Sequence, residues 1–441
     1  MALSQRISRP ESLLLALWGI QLLRMAWPAP IIEAAGAIVA AVYLARVVIL
    51  IRWPILILCA VLLGITALLA SLYGGIEFIS SGLESAPTFA AFFGTVVLLR
   101  ATADHLPEIT SARRLLERIE PAHRGGGFLI GTHLLAVVLG PGSYAVTAPI
   151  VGNETSDARR LDAGRTCHRG ACLAALWSPF WIAMAVASQY VPEVPLWQIM
   201  LLGIPVAAAA LMLSHVMFAE DPTLKRLGQA LYALRPIAKP VVVCVALVAV
   251  LSSVTSLPGV QTLIISMPIL CLIGLARQGR QAIRTAVQNT YRGTGFLANE
   301  IAILTVSLSL GGVLKHALAT TGVAATITGY DWPAIAILGV ILTAMSASAL
   351  IGIHQMVSMT VVLVIFADLP GAMSRLVLME SALIGWAFAS MIGLSAVSVA
   401  TATAMFRIPM EKIILGPSLK FVIVTTVAAT ILLALINAVV V

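Results

Sequence analysis

Long apolar runs separated by short polar segments set the pattern of this chain. Pro54–Gly74 and Pro236–Val254 are apolar on every helical face and lack the alternation of barrel strands. A helix of about 20 such residues crosses a hydrocarbon core of about 30 Å, and the pattern predicts about ten crossings. Spans are expected at Ile31–Ile51, Pro54–Gly74, Pro87–Arg100, Leu196–Phe218, Pro240–Val254, Val260–Ala276, Ala298–Leu318 and Ile413–Asn437. Glu108–Glu120 reads as an amphipathic surface helix. Residues 1–30 read as an N-terminal helix or interfacial anchor: Arg6 and Arg9 precede an apolar Ser12–Trp18, but no small-residue cleavage site follows.

Composition narrows the class further. Of 441 residues, 60% are hydrophobic and 10% charged, with a mean hydropathy of +1.01. That is too little charge to cover a soluble surface, so the fold class is an all-α polytopic membrane protein. The net charge of +8 is spread over short segments between spans, where it sets orientation, and nucleic acid is not an expected partner. Cys59, Cys167, Cys172, Cys244 and Cys271 mostly sit in apolar runs and read as packing residues. Cys167-His168 with Cys172 has no second ligand pair, so no metal is expected. No phosphate-binding loop with Lys-Ser/Thr occurs, which argues against nucleotide-driven work within the chain.

Four segments are basic: Ser111–Arg124, Glu154–Arg169, Lys225–Lys239 and Arg277–Arg292. The connections Gly74–Glu84, Val191–Leu196 and Ala319–Trp332 are short and poor in Lys and Arg, and carry Glu77, Glu84, Glu193 and Asp331. The basic set is expected as cytoplasmic loops of a protein in the cytoplasmic (inner) membrane. This leaves Gly127–Gly152 between two segments on one side, which a single crossing cannot satisfy. A re-entrant hairpin can, and Gly140-Pro141-Gly142-Ser143 at its centre breaks a helix. A second interrupted stretch, Ala334–Phe366, breaks at Gly352-Ile353-His354-Gln355.

The two halves resemble each other in order. Pro195–Leu201 lines up with Pro409–Leu415, Ser178–Ala187 with Ser395–Ala404, and Gly140–Thr147 with Gly352–Met359. Loop charge gives the halves opposite orientation. The expected organisation is a first repeat at 31–218, a cytoplasmic linker at 219–239 and a second repeat at 240–441. The first holds an inward-opening hairpin (127–152) and a broken helix (171–190). The second holds an outward-opening hairpin (334–366) and a broken helix (376–404). Inverted repeats with discontinuous helices characterise secondary transporters.

This order of span, surface helix, hairpin, Ser-containing broken helix and final span, given twice and inverted, resembles the ion transporter superfamily. Divalent anion/sodium symporters, citrate carriers and arsenite pumps belong to it. The resemblance covers residues 31–441 and implies a fixed scaffold, a moving transport domain and an elevator-like alternating-access mechanism. Dicarboxylate members carry Ser-Asn-Thr motifs at the hairpin tips. Here the tips read Gly-Pro-Gly-Ser and Gly-Ile-His-Gln, with no Asn, so the resemblance leaves both the coupling ion and dicarboxylate specificity open.

Candidate solute-binding residues follow from the breaks, where half-helix N-termini favour anions and unwound carbonyls favour cations. They are Ser143 and the His354-Gln355 pair at the tips, Ser178 before Pro179, and Ser395 and Ser398 in the second break. Ser395, Ser398 and Thr401 share a face if the helix continues. Turn chemistry, a proline kink and close helix packing are the structural alternatives for these residues. Gly142, Thr401 and Glu380 are the ion-coupling candidates, with Na+ or H+ as the coupling ion and no other cofactor.

The function expected is ion-coupled secondary transport of a small anionic organic solute, by a chain that is not an enzyme. A polytopic enzyme acting on a lipid or glycan precursor, and the membrane subunit of a binding-protein-dependent transporter, are the alternatives. Expected partners are the small-molecule solute, membrane lipids and a second copy in a homodimer, with an accessory solute-binding protein as a further candidate.

Overall fold

A computed structural model describes residues 10–118, 124–152, 156–219, 228, 231–232, 235–255, 257–322, 332–367 and 373–440. Arg6, Arg9, Glu154, Lys225, Arg226 and Asp331, which entered the charge argument, lie outside the described residues. Along the chain come α1 (Pro10–Ala26), α2 (Pro30–Val47), α3 (Trp53–Tyr73), α4 (Ser81–Ala103) and α5 (Pro107–Arg118). Next are α6 (Arg124–Leu139), α7 (Ser143–Gly152), α8 (Asp157–Leu173), α9 (Ile182–Tyr190) and α10 (Leu196–Phe218). The second half holds α11 (Arg235–Val254), α12 (Gly259–Ala276), α13 (Arg280–Thr294), α14 (Ala298–Thr321) and α15 (Ala334–Leu350). The last five are α16 (Gln355–Phe366), α17 (Arg375–Ile392), α18 (Val397–Phe406), α19 (Met410–Ile414) and α20 (Pro417–Val440).

Nine helical stretches among the described residues have the length and apolar character to cross a bilayer. The protein is a multi-pass, all-helical membrane protein. Its surface carries the reverse of a soluble pattern. In α3 one stripe packs inward (Ile55, Cys59, Leu62, Thr66, Ala70), while Val61, Leu68 and Leu72 stand exposed on the other faces. Lipid satisfies such a surface, and the backbone polar groups are closed within the helix. Thr66 follows suit by donating its hydroxyl to the Leu62 carbonyl at 2.7 Å.

The chain forms two compact units, each drawn from both halves of the sequence. One comprises α1–α4 and α12–α14. Its hub is α4, buried along nearly its whole length and packed against α1, α2, α12, α13 and α14. The amphipathic α13 lays Ala282, Ala286, Thr290 and Thr294 against this unit at helical spacing.

The other unit comprises α5–α11, α15, α17–α20 and α16 as far as Leu363. Here the local order repeats. A helix, a glycine break and a shorter helix (α6–α7) precede a broken helix (α8–α9) and a long helix (α10). The same series recurs as α15–α16, α17–α18 and α19–α20. The packing recurs too, since α6 lies on α8 and α15 lies on α17. Gly170 of α8 meets the Leu129 backbone, which leaves no room for a Cβ, and Gly385 of α17 packs against the Met345 side chain.

Several expected boundaries shift. Two of the basic segments are helices, not loops: Arg159, Arg160, Arg165 and Arg169 lie on α8, and Arg280, Arg284 and Arg292 on α13. The first broken helix accordingly starts at Asp157 and not near Ala171. Ser156 starts it by accepting the Arg159 N–H at 3.3 Å, a side-chain N-cap. Helix α11 begins at Arg235, inside the expected linker.

Candidate functional site

Both glycine breaks use left-handed backbone that a side chain resists. Gly140 has φ +57° and Gly352 φ +91°. After Gly140 a single tight turn (Gly140–Gly142) leads into α7. After Gly352 the chain runs through His354, whose Nδ1 accepts the Met356 N–H at 3.2 Å and so caps the start of α16. The hydroxyls of Ser348 and Ser358 meet at 2.7 Å and tie α15 to α16 beside the tip.

A helix that stops inside a membrane protein leaves its last carbonyls without intrahelical partners. Here side chains from neighbouring elements satisfy them. At the end of α6, Trp181 Nε1 donates to the Ala136 carbonyl at 2.9 Å, and the Ser178 hydroxyl donates to the Val137 carbonyl. Trp177 Nε1 donates to His133 Nε2 at 3.1 Å, while His133 Nδ1 donates to the Gly170 carbonyl at 3.1 Å. Three residues of the first break, Trp177, Ser178 and Trp181, thus staple it to α6.

The second break is closed the same way. The Ser398 hydroxyl donates to the Ser390 carbonyl, and the Leu394 N–H donates to the Ala349 carbonyl at the end of α15, at 3.2 Å. The Met391 carbonyl accepts from His168 Nε2 at 3.0 Å. That bond assigns the imidazole proton to Nε2, so Nδ1 accepts from the Tyr144 hydroxyl at 2.9 Å. The Cys172 thiol sits one turn from His168, beside the hydroxyls of both Tyr144 and Ser398. Elements of the first tip, α8 and the second break therefore meet at one buried cluster.

The N-termini that follow the two broken-helix gaps are treated differently from their C-termini and from the His354-capped start of α16. Neither α9 nor α18 has a side-chain cap on its first N–H groups. Ser395, just before α18, and Ser143, at the start of α7, carry buried hydroxyls with no hydrogen-bond partner. The arrangement leaves carbonyl ends satisfied, with N–H groups and two hydroxyl donors available, which suits an anion.

The sequence-based candidates divide accordingly. Ser143 is fully buried with an unused hydroxyl, and the Ser395 hydroxyl is likewise unused. Ser178 and Ser398 are buried and engaged with carbonyls. His354 and Gln355 are buried at the second tip, and Gly142 is exposed at the first. Thr401 bonds back to the Val397 carbonyl at 2.7 Å. The helix does not continue through Ser395, since α18 begins at Val397, so Ser395 does not share a helical face with Ser398 and Thr401. Glu380 of α17 is fully buried, and neither carboxyl oxygen has a partner.

Several residues were missed. Tyr144, Trp177 and Trp181 read as ordinary apolar-run residues, and His168 reads only with Cys167 and Cys172 as a metal pair in a basic segment. Arg169, expected in a cytoplasmic loop, is buried: Nε donates to Ser214 Oγ at 3.0 Å, Nη2 to Thr166 Oγ1 at 3.1 Å, and the guanidinium stacks over the Phe218 ring at 4.5 Å. Among the described residues no cluster of His, Cys, Asp and Glu has the composition to hold a metal.

No protein-family model matches the chain, and no curated protein matches it in sequence. Solved structures do. The fold is similar to that of the Alcanivorax borkumensis YdaH transporter, whose crystal structure revealed an unusual topology. The TM-score is 0.58, over 86% of this chain and 97% of that one, at 14% identity. The fold is one that a membrane transporter uses. At that identity the likeness is one of architecture, and the residues of the breaks are this chain's own.

Proposed function

We propose that the protein is a secondary active transporter of a small anionic organic solute, coupled to an ion gradient and working by elevator-like alternating access. The observation that carries this reading is the asymmetry of the two broken helices, whose carbonyl ends are closed by neighbouring groups while the N-termini of α9 and α18 lack a side-chain cap, together with the unused hydroxyls of Ser143 and Ser395. An anionic group would be held by those hydroxyls and the N–H groups of α9 and α18, with His354 and Gln355 at the second tip as further contacts. Gly142, Thr401 and Glu380 are the coupling candidates, with Na+ or H+ as the ion.

Helix length supports the hairpins. At 1.5 Å per residue the 10 residues of α7 and the 12 of α16 reach about 15 and 18 Å, well short of a bilayer core of about 30 Å. In this reading α6–α7 and α15–α16 enter from opposite faces and turn back, in two inverted repeats like those of the ion transporter superfamily. The unit that holds both breaks would move, and the unit around α4 would serve as scaffold, in a homodimer in the inner membrane.

Solute counterflow in proteoliposomes tests the reading. The protein is reconstituted with unlabelled acetate, lactate, succinate or citrate inside and the labelled form outside. Uptake above empty liposomes is expected for at least one of them. No flux of any under counterflow or an imposed gradient, from protein that retains its cooperative melting, contradicts it.

A further inference from the structure

Glu380 stands apart from every other acid among the described residues. Among the described residues it is the only carboxylate that is fully buried, at 0% exposure, and both of its oxygens lack a hydrogen-bond partner. It lies on α17, the helix that runs into the second break through Ser390 and Met391 to Ser395. Resting on the transport reading above, we propose that the coupling ion is a proton and that Glu380 carries it.

Charge around α17 supports this assignment. The helices packed against it are α8, α9, α10, α15, α18, α19 and α20. Neither α15 nor α18 contains a titratable residue. From α9 comes Tyr190, from α10 His215, from α19 Glu411 and Lys412, and from α20 Lys420. The contact with α8, which carries Asp157, Arg159, Arg160, Asp162, Arg165, Cys167, His168, Arg169 and Cys172, includes the His168–Met391 bond, eleven residues beyond Glu380. On α17 itself, Arg375 pairs with Glu193 at 3.3 Å. None of these groups hydrogen-bonds Glu380 or forms an ion pair with it.

A bare carboxylate in such surroundings costs far more than a neutral acid, because nothing replaces its hydration. The buried form is therefore the carboxylic acid. In the cycle, the acid releases one proton to water at one membrane face, leaving a carboxylate. It takes one proton from water at the other face and returns to the acid. One O–H bond breaks and one forms, and no electrons are exchanged. The hydrated carboxylate cannot be buried again without its proton or another cation, which couples proton movement to the conformational change.

Two measurements test this. Infrared spectroscopy of the reconstituted protein, with no solute added, should show the C=O stretch of a protonated, weakly hydrogen-bonded carboxylic acid at neutral pH, and Glu380→Gln should remove it. In proteoliposomes, the carboxylate that gives the largest counterflow should accumulate under an imposed pH gradient with the wild type. In Glu380→Gln the accumulation ratio should fall to one, and in Glu380→Asp, which keeps a titratable carboxyl, it should stay above one. A band that persists in Glu380→Gln, accumulation in that variant equal to wild type, or accumulation that follows a sodium gradient and not a pH gradient would overturn the proposal. If the wild type moves no carboxylate at all, transport itself fails, while the infrared band still reports whether Glu380 holds a proton.

Discussion

His168 donates its Nε2 proton to the carbonyl of Met391 at 3.0 Å, across 223 residues of chain. The same ring accepts the Tyr144 hydroxyl at 2.9 Å. One imidazole thus holds the helix after the first tip and the last turn of the helix before the second break. In a unit built around four interruptions, this chain of hydrogen bonds keeps two of them in register.

Removing one partner leaves the other buried and unsatisfied. Tyr144→Phe should lower stability by about 1–3 kcal/mol, because His168 Nδ1 loses its donor. His168→Ala should cost more, since the Met391 carbonyl is orphaned as well and a cavity opens. Thermal unfolding in detergent, with each variant set against wild type, measures both.

Ser143→Ala and Ser178→Ala separate solute contact from scaffold. The Ser178 hydroxyl closes a helix-end carbonyl, so its loss should lower the unfolding free energy by about 1–3 kcal/mol. Ser143 has no partner to lose, and Ser143→Ala should leave the melting temperature nearly unchanged while raising KM for the transported solute. A stability loss at Ser143 as large as that at Ser178 would contradict the assignment.

The left-handed glycine at the second tip offers a backbone test. No atom lies within 4 Å of a Cβ built on Gly352, so Gly352→Ala meets no steric clash, only the penalty of its φ. That penalty is about 1–2 kcal/mol for an L-residue. Gly352→Asn, which tolerates this region, should be milder than Gly352→Ala both in melting temperature and in flux.

The breaks are readable along the chain because Gly-Pro-Gly, Ser-Pro and the Gly352–His354 turn are local signals, tied to backbone chemistry within a few residues. The spans are readable for the same reason: Leu196–Phe218 forms as expected, and Ala298–Leu318 extends only to Thr321. What closes the breaks is not readable. Trp181 finds Ala136 and His168 finds Met391 only after folding, and neither an indole in an apolar run nor an imidazole at the end of a basic segment carries a local sign of its partner. Charge misled in two places, since α8 and α13 are helices where basic loops were expected. Arg159 to Arg169 suggested a loop, yet α8 is helical throughout and buries Arg169 beneath hydroxyls and a ring, a pattern set by Thr166, Ser214 and Phe218 together.

That arginine yields another prediction. Its Nε and Nη2 bond hydroxyls, and among the described residues its Nη1 has no partner. Arg169→Lys should destabilise the protein although charge is kept, because the planar stack on Phe218 and the two hydroxyl bonds are lost together. Arg169→Met, which fills the space without a buried charge, should be closer to wild type in melting temperature.

Isothermal titration of the best-transported carboxylate measures binding at the breaks directly. Ser143→Ala and Ser395→Ala should each weaken Kd about tenfold, the cost of one hydrogen bond to a charged group, with folding unaffected. Unchanged Kd in both well-folded variants would place the solute elsewhere.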